Sequence, residues 1–327
     1  MSEEIRAEAP PAAAPMAATP RPGLTAELLR HAPILAVLAW WIYDLQVHWR
    51  GQVEYQYGWI VVMLVAYLVW ERWPALPAPE PLRRRWLPWL LAALGMPLVL
   101  VAELYKHGVA NTPSASFLLS LGCTLFILAM LLVLHGPPAT RRLLFPLLFM
   151  FVAVPLPKIL WNPVVFGLQS LITFLNVEAL NLLGIPAVQS AHVIQLPNGV
   201  VGVDEACSGV RSLQSSIMAA LFIGDLTLRR TSAKFVFLAA GIGLAVVGNF
   251  FRSLYLSLTA YQKGVDAVNT VHDTAGWSIL IFTAGGLMLL AMAMTRLERL
   301  AAQMVKEDAE KGRMPNPSSR LGSGSNA

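Results

Sequence analysis

Long apolar runs separated by short polar segments cover most of this chain of 327 residues. A membrane-spanning helix needs about 20 mostly apolar residues. Runs that could serve lie at residues 31–47, 57–73, 86–105, 115–135, 142–157, 206–226, 234–258 and 273–295. The pattern therefore predicts an all-α polytopic membrane protein with about eight transmembrane helices.

Residues 159–185 are also apolar, but they are interrupted by several Asn residues and a proline. A further full span here would move Arg229 and Arg230 to the side of the membrane that otherwise carries few basic residues. We therefore interpret this segment as an interfacial or re-entrant helix. Farther along, β-favouring runs at 188–196 and 200–204 flank an Asn-Gly turn, which predicts a small extracytoplasmic β-hairpin before the sixth span.

The composition and the distribution of charge support this interpretation. Hydrophobic residues make up 56% of the chain and charged residues 13%, too apolar for a soluble protein of this size. The net charge of +5 could indicate nucleic acid as a partner. However, the basic residues are concentrated in loops on one side of the predicted spans: Arg72, Arg83–Arg85, Arg141, Arg142, Arg229, Arg230, Lys234, Arg296 and Arg299. This bias predicts both termini in the cytoplasm and no nucleic acid partner.

The predicted organisation is a transmembrane domain over residues 31–300 between two disordered cytoplasmic tails, 1–30 and 301–327. Both tails are polar and rich in residues such as Pro, Ala, Ser and Gly. We expect a multi-pass protein of the cell (inner) membrane, in contact with lipid. The six histidines are scattered without the spacing of a metal site, and we expect no cofactor.

Three side chains suited to acyl transfer fall at the outer ends of predicted spans. Cys207 lies at the mouth of the sixth span, Arg252 near the end of the seventh and His272 at the start of the eighth. A thiol at a helix N-terminus can be a nucleophile, histidine can move a proton, and arginine can stabilise an oxyanion. The shared depth of the three predicts an active site near the extracytoplasmic face.

Other polar residues follow the same helical faces. Arg211, Gln214 and Ser215 continue a polar stripe below Cys207, and Asn249 lies one turn before Arg252. These four are candidates to line the site or bind substrate.

Each candidate also has an ordinary structural interpretation. Cys207 could be a small packing residue, Arg252 could extend to the interface, and His272 could hydrogen-bond to lipid headgroups. Small polar residues in spans commonly hydrogen-bond between helices. Cys123, in the middle of an apolar run, is expected to be a packing residue.

The motifs resemble those of the exosortase/archaeosortase family. The resemblance is carried by Glu205-Ala206-Cys207-Ser208-Gly209-Val210-Arg211-Ser212-Leu213, by Asn249 to Arg252, and by His272 with Gly276. The segment Tyr55-Gln56-Tyr57-Gly58-Trp59 is similar to the family's Ser-His-Gly entry but departs from it at Gln56-Tyr57.

The resemblance implies a membrane-embedded cysteine transpeptidase or protease. Its substrates would be exported proteins with a C-terminal sorting signal in three parts: a short Pro-Glu-Pro-like motif, a hydrophobic span and a basic tail. By resemblance, Cys207 would form a thioester with the substrate, His272 would shuttle the proton, and Arg252 would stabilise the oxyanion. A second nucleophile would then release the substrate to an acceptor.

Two other functions remain open from the sequence. A transporter or channel could use Arg211, Arg252 and His272 to line a polar pathway. A non-catalytic scaffold for polysaccharide export would be indifferent to the Cys207 thiol.

Overall fold

The computed structural model describes residues 24–202, 209–310 and 312. Within these residues the chain forms eight α-helices. They are α1 (Leu24–Gly51), α2 (Gly58–Arg72), α3 (Leu87–Gly108), α4 (Pro113–Phe149), α5 (Lys158–Leu182), α6 (Val210–Thr227), α7 (Thr231–Lys263) and α8 (Asp266–Glu310). Helices α1 and α8 extend beyond the predicted domain limits of residues 31 and 300. The residues that flank the apolar runs there are more polar but still favour helix.

Six helices in the described ranges are long and apolar enough to cross a membrane, namely α1, α3, α4, α5, α7 and α8. The prediction of about eight spans differs from this count in four ways. Helix α2 has 15 residues, fewer than the roughly 20 that a span requires. Helix α6 has 18 residues but contains Arg211 and several Ser residues. The third difference is that α4 contains two of the predicted spans. The fourth is that α5 is among the six, although the sequence predicts an interfacial or re-entrant helix there.

Helix α4 reverses direction at Gly136, which has φ 74° and ψ 177°. Its first arm runs antiparallel to α1, because Ser116 hydrogen-bonds His48 at 3.0 Å while His135 hydrogen-bonds His31 at 2.8 Å. The second arm returns, and the Ala153 carbonyl just after it accepts a hydrogen bond from Trp49 near the end of α1. The predicted spans 115–135 and 142–157 are therefore two adjacent, antiparallel arms.

The helices define two ends of the bundle. We call the end that holds Trp49, Ala153 and Arg252 the site end, and the opposite end, with Arg72 and Lys234, the basic end. At the basic end the buried Asp225 carboxylate pairs with Arg72 of α2 and, at 2.7 Å, with Lys234 of α7. Helix α6 therefore runs from the site end, where it begins, to this ion cluster.

The basic loops predicted to share one side of the membrane gather at the basic end. Arg142 donates a hydrogen bond to the Ala75 carbonyl. The Glu298 carboxylate accepts hydrogen bonds from the backbone amides of Arg229 and Arg230, at 3.0 and 3.1 Å. This arrangement agrees with the loop grouping, while the side of the membrane on which the loops lie stays a prediction.

Helix α5 is continuous and long enough to cross a membrane, yet both of its ends are connected to the site end. It begins shortly after Ala153. Beyond its last turn, the Asn181 amide hydrogen-bonds the backbone of Ala187, and the sheet that follows is bonded through Asn198 to the Tyr261 carbonyl at the end of α7. These contacts place both ends of α5 near the site end, and the interfacial or re-entrant position of this helix stays a prediction.

The segment after α5 forms a three-stranded antiparallel sheet of β1 (Val188–Ser190), β2 (Val193–Leu196) and β3 (Gly199–Gly202). The sequence predicts a two-stranded hairpin here. The additional strand arises because the chain turns at Ala191, which has a positive φ of 54°, and divides the first predicted run in two.

Helices α6, α7 and α8 pack closely where glycine removes a side chain. A Cβ at Gly241 of α7 would lie 3.1 Å from both Ala220 of α6 and Leu287 of α8. Small residues allow such close approach of helices in membranes. The three helices thus form one packed unit, and the candidate site lies where this unit reaches the site end. Cys123 is far from it in sequence and fully buried in α4.

Candidate active site

Arg252 and His272 meet at the site end although they lie on different helices. The Arg252 Nη2 atom is 3.0 Å from His272 Nε2. A guanidinium has only donors, so Nε2 of His272 is the acceptor in this hydrogen bond. The chain connects the two helices through Gly264, whose φ of 90° allows the tight turn that brings them together.

Gly276 lies one turn after His272 on the same face of α8. A Cβ at this position would lie 3.8 Å from Arg252 Nη2, an ordinary contact distance. Because Gly276 has no side chain, the space next to the Arg252 guanidinium on this side stays open.

The first turn of α6 is fixed by a second glycine. Gly209 has a left-handed φ of 80°, and its carbonyl accepts hydrogen bonds from the Leu213 amide and the Ser212 hydroxyl, both at 2.8 Å. A Cβ at Gly209 would overlap the side chain of Asn249. Asn249 is 1% exposed, so α6 begins in direct contact with the face of α7 that also carries Arg252.

Arg211 is oriented differently from Arg252. Its side chain is 44% exposed and lies 3.9 Å from the Glu54 carboxylate, which precedes α2. Such an exposed and distant pair contributes little to stability. Arg211 is therefore a solvent-exposed cation at the rim of the site, whereas Arg252 is hydrogen-bonded to His272.

These residues surround a cavity of about 550 Å³. The upper part of the cavity, nearest the site end, is formed by Gln56, Gly209, Arg211, Ser212, Arg252 and His272. The lower part, toward the basic end, lies between α6 and α8 and is lined by Ser215, Ala219, Thr283 and Leu287. A volume of this size suits a peptide segment or a small ligand.

The structure brings together Arg211, Ser215, Arg252 and His272 from the predicted site. Gln214 and Asn249 are both buried and are not among the described residues that line the cavity. The Asn249 side chain packs against Gly209 instead. Cys207, the predicted nucleophile, lies outside the described residues.

Sequence reasoning did not assign Gln56 and Glu54 to the site. The only signal was the weak resemblance of the segment containing Gln56 to a family motif. Their position depends on Trp49, over which Gly58 packs so closely that a Cβ would overlap the indole ring.

A family model described as transmembrane exosortase matches residues 49–291. The chain belongs to the transmembrane exosortase family. The matched range includes every described residue that lines the cavity, from Gln56 to Leu287. Searches of curated proteins and of solved structures gave no match for this exosortase.

Proposed function

We propose that this exosortase is a cysteine transpeptidase or protease that cleaves the C-terminal sorting signal of exported proteins through a thioester. The proposal assigns the nucleophile to Cys207, the proton transfer to His272 and the oxyanion contact to Arg252. Arg211 and Ser215 line the substrate cavity, with Asn249 and Gln214 behind them.

The contact between Arg252 and His272 at the cavity wall carries the proposal. Gly209 lines the same cavity, and Cys207 precedes it by two residues. Covalent geometry limits the separation of the Cα atoms of Cys207 and Gly209 to about 7 Å. The proposal therefore assigns the thiol to the cavity that holds the proton carrier and the cationic hydrogen-bond donor.

In the first step the Cys207 thiolate would attack the scissile carbonyl carbon and form a C–S bond. Two N–H groups of the Arg252 guanidinium can direct hydrogen bonds to the developing oxyanion. When the C–N bond breaks, the leaving amine takes a proton from His272, which must first have received the thiol proton. The products are a thioester and the released C-terminal segment.

In the second step an acceptor nucleophile, either water or an amine or hydroxyl of a surface molecule, would attack the thioester carbonyl. His272 would take the proton of the nucleophile and return it to the leaving Cys207 sulfur. Water gives a protease, whereas another acceptor gives a transpeptidase.

The orientation completes the proposal. With both termini in the cytoplasm, as the loop charges predict, the site end faces outward in the cell membrane. Exported proteins would reach Arg252 and His272 after crossing the membrane, while their hydrophobic span is still held in it.

The test uses a tagged exported reporter with a three-part C-terminal tail, produced together with this protein. We expect the wild type and Cys123→Ala to shorten the reporter, and Cys207→Ala to leave it full length at an equal membrane level of the enzyme. Equal processing by both cysteine variants would contradict the proposal. It would favour the transporter or the polysaccharide-export scaffold, since neither of these needs the thiol.

A further inference from the structure

A second cavity lies along the same two helices, α6 and α8, as the cavity beside Arg252 and His272. The second cavity, of about 750 Å³, begins one turn below the first and reaches Arg296 and Arg299 at the basic end. We call the combined feature the α6–α8 groove. It is defined by Ser215, Ala219 and Ile223 of α6 and by Gly276, Ala284, Ala291 and Met292 of α8.

The length of the groove matches one membrane crossing. Gly276 and Arg296 are separated by 20 residues of continuous helix, which corresponds to about 30 Å at 1.5 Å per residue. The hydrocarbon core of a bilayer has a thickness of about 30 Å. A single apolar helix of about 20 residues could therefore lie along the whole groove.

The walls of the groove favour a helix over lipid chains. Ser212, Ser215 and Ala219 recur at helical spacing on α6 and line the groove, and small residues let two helix backbones approach closely. Ser216 also lines it, is 2% exposed and has a hydroxyl without a hydrogen-bond partner among the described residues. Acyl chains have no polar group that could hydrogen-bond to the Ser216 hydroxyl, whereas polar groups of a neighbouring helix can do so.

The composition of α6 also favours a protein helix over lipid in the groove. Helix α6 is not apolar enough to be a candidate span among the described residues. A polar face directed at hydrocarbon is costly, so the serine face of α6 is best covered by protein. Helix α7 covers another face through Gly241 and Gly224, and the groove is the face that remains.

We propose that the α6–α8 groove binds the hydrophobic span of the substrate. The residues that precede the span would then enter the upper cavity beside Arg252 and His272. This inference rests on the proposed function, since it takes the substrate to be a protein with a single apolar helix next to its cleavage site.

Photo-cross-linking tests the location. A benzophenone amino acid is placed at Ala284 or Met292 in the groove, and at Ile281 or Phe282 on exposed faces of the same helix that do not line it. Each position is combined with Cys207→Ser, and the tagged reporter is produced in the same cells. We expect a cross-linked enzyme–reporter band from the groove positions and none from the other two.

A steric test complements the photo-cross-linking experiment. Ala219→Trp would fill the groove and slow reporter processing at least about ten-fold, the equivalent of 1.4 kcal/mol, while Ile281→Trp would leave it unchanged. Alkylation of Cys207 by a small maleimide at the wild-type rate would show that Ala219→Trp is folded.

The outcomes separate the two proposals. If the wild type processes the reporter but the groove and outer positions cross-link it equally, or only lipid is cross-linked in the groove, the groove proposal is overturned and the proposed function stands. If the wild type does not process the reporter, the proposed function fails, and the groove proposal fails with it.

Discussion

Gly209 packs directly against the side chain of Asn249, in a left-handed backbone conformation with φ 80°. No L-amino acid with a Cβ satisfies both conditions, because the left-handed region costs about 1–2 kcal/mol and the added carbon would overlap the Asn249 amide. The beginning of α6, two residues after Cys207, therefore depends on this glycine.

Gly209→Ala is expected to lower the thermal unfolding temperature of the detergent-solubilised protein and to abolish reporter processing. Gly243→Ala is the matched control, because Gly243 lies in α7 with open space where its Cβ would be. This control should be neutral or stabilising by up to about 1 kcal/mol. Wild-type processing by Gly209→Ala would contradict the role assigned to the close contact.

The two arginines of the cavity are expected to differ in their tolerance of lysine. Arg252→Lys loses the planar fork that contacts His272 and is proposed to contact the oxyanion, so processing should slow by about 10² to 10³. Arg211→Lys keeps the charge opposite Glu54 and should retain most activity. Processing rates of both variants in nanodiscs measure the difference. A larger loss in Arg211→Lys, with normal alkylation of Cys207, would exchange the two roles.

Two ion pairs of the bundle are predicted to contribute unequally to stability. Asp225 is 6% exposed and pairs with both Arg72 and Lys234, so Asp225→Asn should destabilise the protein by about 3–5 kcal/mol. Glu54→Gln breaks only the exposed contact with Arg211 and should leave the unfolding temperature unchanged. Thermal unfolding of both variants in the same detergent is the measurement, and equal unfolding temperatures would contradict this ranking.

The predicted orientation can be checked by cysteine labelling. In a background with Cys123→Ala and Cys207→Ala, Asn198→Cys in the turn before β3 should react with a membrane-impermeant maleimide in intact cells. Arg229→Cys at the basic end should react only after the cells are opened. Both positions are exposed in the fold. The opposite pattern of labelling would place the site end in the cytoplasm.

Hydropathy predicted the long helices α3, α7 and α8, because the apolar runs 86–105, 234–258 and 273–295 make up much of each helix. It also placed Arg252 and His272 at one depth, since each lies a fixed number of residues from a predicted span end. The break at residues 135–142 separated the predicted spans 115–135 and 142–157, but the pattern could not show that helix continues up to Gly136 on both sides and that the chain reverses at this one residue.

Sequence patterns could not predict that Arg211 pairs with Glu54 or that Gln56 lines the cavity. Glu54 and Arg211 are more than 150 residues apart, and their contact depends on how α1, α2 and α6 pack. The third strand was missed for a local reason: Ala191 adopts a positive φ that alanine rarely takes, so composition gave no turn signal there.

The Asp225 cluster has a mechanical consequence for α6. At its lower end this helix is tied to α2 and α7 by two ion pairs with a buried carboxylate, whereas at its upper end the ion pair of Arg211 is exposed and 3.9 Å long. The first turn of α6 is instead held by the close packing of Gly209 against Asn249. Charge therefore anchors α6 at the basic end, whereas shape anchors it at the site end.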